Sequence, residues 1–320
     1  MNDFAATLPS HFGLAGTKTV KERGYFLCKT AQGFFKIHKT QDTHQDIYRR
    51  HRLLEQLDGL GFPWTDRIVL SGQGEPFVQL GRETYVMTRH VKGRELNPDC
   101  LQDMTLAIES LARFHMIARG VAWEPAPPIS PPLSETFAKN AAFLTKTARQ
   151  ASKNSRMSDF DVLFIKNSGQ YMAKAEASIQ LLARTGYPAV YAAAVAGGHL
   201  CHGELKEETM PIWDGTCYLT NFNHAAVDAQ IIDLAAFLHR YARRSRREIP
   251  LAALVDIYDR VLPLPSQGTD IIGAYLAHPW QFVKIAQQYY SKKRGWTPVA
   301  MMGRMGDLLE MQALYDAYVT

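Results

Sequence analysis

The sequence predicts an α+β protein in which a small β-rich lobe precedes a larger, mostly helical one. Three observations carry this. Strand-like runs separated by tight turns fill the first ninety residues. From about residue 100 onward, apolar residues recur at helical spacing. Between the two lies Val91–Asp99, a turn-rich stretch that reads as a hinge. Two lobes around a hinge imply a cleft, the usual place for a ligand.

Composition narrows the class. The chain has 320 residues, 46% hydrophobic and 21% charged, which excludes a disordered or fibrous protein. The 36 Lys and Arg against 31 Asp and Glu leave a net charge of +5, too modest for a dedicated nucleic-acid binder. Cysteines stand at 28, 100, 201 and 217 with no C-x-x-C pair, so zinc and dithiol redox chemistry lack support. The first residues show no basic stretch leading into an apolar one, and no apolar window is long enough to span a membrane, so neither a signal peptide nor a membrane partner is expected.

The elements follow in order. Residues 24–40 form a hairpin, GYFLCKT and FFKIHKT joined through AQG. Asp42 to Leu57 is a helix with Ile47, Leu54 and Leu57 on one stripe, ended by Gly59 and Gly61. RIVL, FVQL and TYVMTRHV are three further strands, which gives the order β-β-α-β-β-β. Leu101 to Arg119 is a helix, with Leu101, Met104, Ile108, Leu111 and His115 in register and Gly120 after its end. A linker from Trp123 to Pro132 holds five prolines. Helices are expected at 135–150 and 159–184, short strands around the turn DGT within 198–220, and helices at 230–244, 251–261, 270–291 and 301–318.

The chemistry concentrates in His199–His239. It reads His202-Gly203-Glu204, Thr209 five residues on, a short hairpin, Thr220-Asn221-Phe222-Asn223, and then Asp233-Leu234. This order resembles the catalytic core of the aminoglycoside phosphotransferase and protein-kinase-like superfamily, where the pattern is H-G-D-x-x-x-x-N, a hairpin, and [IV]-D-[FL]-[DG]. Upstream, FFKIH, TYVMTRHVKGREL and LARFH resemble the lysine strand, the interlobe crossing and a helix of that superfamily. Within it, GFPW, GQGEPFV with TYVMTRHVKGRE, LARFHMIARG and AYLAHPWQFVKIAQQYYSKKRGW resemble the spore coat CotS family, from about residue 20 to the end.

That resemblance implies a bilobal protein kinase-like fold, with an N-lobe at 1–91, a helical C-lobe at 92–320, and a catalytic-type loop at 199–223. It also implies that Lys36 is the phosphate-pairing lysine, a candidate contact for ATP. Phosphoryl transfer depends on positioning and electrostatic stabilisation, and the superfamily supplies an aspartate base and two metal-holding side chains. Here the base position is Glu204, one methylene longer. The Asn position is Thr209, and the two acidic positions are the amides Asn221 and Asn223. Magnesium takes oxygen ligands, one or two of them carboxylates, so two negative charges are lost where it would sit. Between residues 15 and 36 only Gly16, Gly24 and Gly33 occur, without a G-x-G-x-x-G phosphate loop.

The site is therefore read as degenerate at His202, Glu204, Thr209, Asn221 and Asn223, with no active catalytic residue, no metal and no cofactor expected. The resemblance implies a non-catalytic pseudokinase, a structural protein of sporulation made in the mother cell and carried into the spore coat, with other coat proteins as partners. Two readings stay open beside it. One is an active phosphotransferase using ATP, magnesium and Glu204 as base; the other is a metal-independent nucleotide- or sugar-binding module.

Other residues admit two readings each. Lys36 either pairs phosphate or is an exposed strand lysine. Glu55 either pairs with Lys36 or faces solvent on its helix. Glu207 and Glu208 replace metal ligands or form a solvated turn. His202 and His115 are structural rather than catalytic, and Asp233 holds the loop or caps a helix N-terminus. The basic run at Arg240–Arg247 is an anion patch or a helix C-terminus favouring cations. Tyr289, Tyr290, Lys292, Lys293, Arg294 and Trp296 bind single strands or simply pack and carry charge.

Overall fold

The structure is a computed structural model and describes residues 7–14, 18–22, 24–122, 127–244, 250–291 and 298–319. Packing groups the chain into two compact units. The first holds residues 1–128, 197–227 and 257–262; the second holds 129–196, 228–256 and 263–320.

The first unit is built on a six-stranded antiparallel sheet. Its strands are β1 (Lys18–Lys21), β2 (Phe26–Thr30), β3 (Gly33–Thr40), β4 (Ile68–Val69), β5 (Val78–Leu80) and β6 (Glu83–Arg89). The order is β1-β2-β3-β6-β4, with β5 also on β6. The expected hairpin is present, with Thr30 opposite Gly33 across the two-residue turn Ala31-Gln32. Phe35 and Ile37 alternate inward with Leu8, Phe12, Cys28, Val78, Tyr85 and Met87 to form one core. Lys36 and His38 therefore share the opposite face of β3, because strand side chains alternate.

Helix α1 (His44–Gly59) starts at Thr43, whose hydroxyl accepts from Asp46 N at 3.2 Å and donates to Asp46 Oδ2 at 2.6 Å. Its buried stripe is Ile47, Arg50, Leu53, Leu54 and Leu57, an apolar face interrupted by one arginine. Helix α2 (Leu101–Ala118) buries Met104, Ile108, Leu111 and Phe114. Four short strands complete this unit: β7 (Leu200–Cys201), β8 (Ile212–Trp213), β9 (Thr216–Cys217) and β10 (Ala226–Val227). β7 pairs with β10, and β8 with β9 around Asp214 and Gly215, both at positive φ as a tight hairpin turn requires.

The second unit is helical: α3 (Leu133–Ala151), α4 (Asp159–Ala183), α5 (Tyr187–Ala196), α6 (Ile231–Ala242), α7 (Leu251–Val261, its last residues counted with the first unit), α8 (Gly268–Ala277), α9 (Trp280–Tyr290) and α10 (Pro298–Val319). An aromatic core runs through Phe160, Phe164, Tyr171 and Phe282, with Tyr171 and Phe282 stacked at 3.9 Å. The single helix expected over 270–291 is two helices. Pro279 cannot donate to the helix ladder, and it pushes the preceding His278 into an extended conformation. The sequence reading also lacks α5, an alanine-rich run anchored where Leu133 N donates to the Tyr187 hydroxyl at 2.7 Å and Tyr191 donates to Ser130 O at 2.6 Å. It lacks β1 and the short turn Leu8–Phe12 as well.

Candidate functional site

Lys36 lies on β3, on the face opposite the buried Phe35 and Ile37. Its Nζ sits 4.9 Å from the Tyr25 ring centroid, and among the described residues it has no ion-pair partner. Burial lowers its pKa, and the Asp66 carboxylate offsets part of that. Glu55 does not reach it: that carboxylate pairs with Arg67, Nη2 to Oε2 at 2.6 Å. Two imidazoles here are held neutral, chiefly by burial. His38 is pushed down to about 4 by burial, then by Arg50 and Lys36, with Asp42 opposing; His90 is pushed down to about 4 by burial and Lys36.

Two residues absent from the sequence reading complete this corner. Arg50, only 8% exposed, donates from Nη1 to Asp42 Oδ2 at 2.9 Å and to Asn223 Oδ1. Its Nη2 is buried with no hydrogen-bond partner among the described residues. A signal was available: with Ile47, Leu54 and Leu57 it falls on the apolar stripe of α1, where an arginine must be buried. Asp66 had no such signal, because it lies in an irregular segment. There Thr65 bridges to Leu219, Leu219 N donates to Trp64 O at 3.0 Å, and both Asp66 oxygens lie 3.1 Å from Asn221 N. Burial pushes Asp66 up to about 6, although Asn221 N, Arg50 and Lys36 all favour its charged form.

The loop from His202 to Asn223 is tied mostly to itself. The buried His202 ring donates from Nε2 to Thr220 O at 2.9 Å and accepts from Glu204 N at Nδ1, 3.3 Å. Gly203 has φ +80°, and a Cβ there would come within 2.3 Å of His224 O. Glu204 Oε1 meets Lys206 Nζ at 3.1 Å; its Oε2 accepts from Asn221 Nδ2 at 3.1 Å and lies 3.7 Å from His224 Nε2. The buried Thr209 hydroxyl is 3.0 Å from the carbonyls of Glu204 and Lys206 and accepts from Lys206 N at 3.0 Å. Asn221 sits in the left-handed region, φ 67° and ψ 58°, which asparagine tolerates better than most residues.

This donor set does not fit magnesium. Thr209 spends its hydroxyl inside the loop, and Glu204 is held by an ammonium and an amide. Asn221 and Asn223 are neutral, and Asn223 Oδ1 already faces a guanidinium. Among the described residues, no set of three metal-ligating side chains gathers at this loop.

The remaining candidates fall elsewhere. His115 is buried and its Nδ1 lies 2.7 Å from the Tyr258 hydroxyl. Glu207 opens a short turn that ends at Thr209, and Glu208 is exposed. Asp233 is buried in the first turn of α6. Tyr289 stacks on Phe160 at 3.9 Å and Tyr290 donates to Asp161 at 2.8 Å, which makes both packing residues. Gly16, Arg246, Arg247, Lys292, Lys293, Arg294 and Trp296 lie outside the described residues.

Comparison with solved structures gives the same architecture. The chain is similar to an aminoglycoside phosphotransferase from Alicyclobacillus acidocaldarius, with TM-score 0.85 and 18% identity over 97% of this chain and 92% of that one. It is also similar to a spectinomycin phosphotransferase, with TM-score 0.63 and 12% identity over 97% and 94% of the two chains. Choline kinase LicA from Streptococcus pneumoniae follows at TM-score 0.52 and 14% identity over 93% and 95%. At these identities the likeness establishes the kinase-like fold. No curated protein matches significantly in sequence. Residues 5–320, however, match the family described as "Spore coat putative kinase YutH", and the chain belongs to that spore coat family of kinase-like proteins.

Proposed function

We propose that this protein is a non-catalytic component of the spore coat, a pseudokinase that acts through contacts with other coat proteins. It would be made in the mother cell and then deposited in the coat. The family match and the kinase-like fold support the setting. The observation that carries the loss of catalysis is the state of Glu204. A general base must be within reach of the proton that it takes. The Glu204 carboxylate instead meets Lys206 on one oxygen and Asn221 on the other. No helix among the described residues is long and apolar enough to cross a membrane. The test is turnover of labelled ATP by the full chain with magnesium, with the Glu204→Ala variant beside it. No turnover above the level of that variant is expected. Magnesium-dependent turnover abolished by Glu204→Ala would overturn the proposal and restore the phosphotransferase reading.

A further inference from the structure

We propose that the groove between α4 and α8 is covered by a second copy of this chain, related by a two-fold axis along the groove, so that α4 of each copy lies on α8 of the other. Every residue of this surface belongs to the second unit.

The two helices run antiparallel. Ser178 Oγ lies 2.8 Å from His278 Nδ1 toward one end, and Gly186 N donates to Gln267 Oε1 at 2.9 Å toward the other. Counting inward from these two contacts sets Leu181 level with Gly273 and Ala274, and Arg184 level with Asp270. The groove has a volume of about 750 Å³ and is closed at one end by Asp316 of α10. It runs from Lys174 to Arg184, about 15 Å at the rise of a helix. Its middle is apolar and mostly small: Ala177 and Leu181 on one wall, Gly273, Ala274 and Ala277 on the other. Small side chains let a further helix approach closely.

Shape and charge both make this surface complementary to itself. Leu181 is 43% exposed, a large apolar side chain left standing at the groove. Level with it on the other wall, Gly273 has no side chain, and a Cβ there would meet nothing within 4 Å. A two-fold axis along the groove exchanges the two walls and keeps the level. Each Leu181 then enters the space over Gly273 of the partner subunit, as an isologous contact requires. The same operation sets Arg184 against Asp270 of the partner subunit. Among the described residues neither Arg184 nor Asp270 is in an ion pair, so both charges are available. At the other end Lys174 Nζ already donates to both Asp316 oxygens, at 2.7 and 2.6 Å, and brings no unpaired charge into the contact. A two-fold axis across the groove would instead set Arg184 against Lys174 of the partner subunit, like against like.

The experiment is analytical ultracentrifugation of the full chain over a wide range of concentration, at low and at high salt. A monomer–dimer equilibrium that stops at the dimer is expected, weaker at high salt because the two Arg184–Asp270 pairs lie near solvent. Gly273→Leu fills the space that Leu181 would enter and should weaken association by about tenfold or more. Its position is open in the single chain, so its thermal midpoint at low concentration should not fall below that of the parent. Arg184→Asp should also weaken association by about tenfold or more, and adding Asp270→Arg to it should restore the dimer. A monomer at every concentration would overturn the inference and leave the groove to a different occupant. An assembly larger than a dimer would overturn it, because a two-fold contact closes on itself. So would a dimer that Gly273→Leu and Arg184→Asp leave unchanged, or one that the exchanged pair does not restore. None of these outcomes touches the non-catalytic reading, which is judged by turnover.

Discussion

The side-chain amide of Asn221 donates to Glu204 Oε2 at 3.1 Å. The same residue offers its backbone N–H to both oxygens of Asp66, so one asparagine separates two carboxylates. An acid at this position would confront both. Asn221→Asp should therefore lower stability by about 1–3 kcal/mol, through a lost donor and a new like charge. For 320 residues that is a fall of roughly 1.5 °C in the thermal midpoint per kcal/mol. Scanning calorimetry at pH 7.5 checks it, and an unchanged midpoint would mean that the Asn221 amide does not hold Glu204 in solution.

Thr209 contributes as a knot rather than as a ligand. Its hydroxyl faces two carbonyls at 3.0 Å and accepts from Lys206 N at 3.0 Å, all within the turn. Thr209→Val keeps the shape and removes the hydroxyl, leaving buried polar groups unpaired. A loss of about 1–3 kcal/mol is expected, and Thr209→Ser should recover most of it. Urea midpoints of the three proteins decide the point. Equal midpoints would return Thr209 to the role of a free side chain facing the site.

These two residues show how far the sequence could be read. Thr209 and Asn221 were legible as positions because the His202–Asn223 spacing is local, and the hairpin turn Asp214-Gly215 between them carries its own signature. The partners were not legible. Arg50 meets Asn223 across 173 residues, and Asp66 meets Asn221 across 155. Periodicity reports which face of an element is buried and nothing about which distant loop a buried cation reaches. Glu55 makes the same point, since on its helix it suits either Lys36 or solvent, and only the fold delivers it to Arg67. The break at Pro279 was legible and outweighed by the apolar run on either side of it.

Gly203 fixes the bend that carries Glu204. It has φ +80°, and a Cβ there would come within 2.3 Å of the carbonyl oxygen of His224, a backbone atom that cannot swing away. Gly203→Ala combines a disfavoured backbone conformation with that clash and should cost about 3 kcal/mol or more. Gly59→Ala is the control, because nothing lies within 4 Å of its Cβ position and φ is ordinary. Thermal unfolding of both variants tests this; a Gly203→Ala protein as stable as the control would show that the loop relaxes freely.

Asp66 gives the site a pH signature of definite sign. Burial raises this carboxyl to about 6, so the folded protein holds the proton more tightly than the unfolded chain does. Its contribution to stability therefore falls as pH rises through the window from about 4 to about 6. His38 works in the opposite sense. Burial, Arg50 and Lys36 push it down to about 4, so its contribution is lost as pH falls from about 6.5 to about 4. In the parent protein the two partly cancel. Asp66→Asn keeps an acceptor for Asn221 N and removes the titration. Its advantage over the parent should grow with pH across that window to at most about 3 kcal/mol above pH 6. Acidification should then destabilise the variant more steeply than the parent. Urea unfolding of both proteins from pH 4.5 to 7.5 measures the difference. A gap that stays constant with pH would mean that Asp66 remains ionised throughout, with Arg50 and Lys36 outweighing its burial.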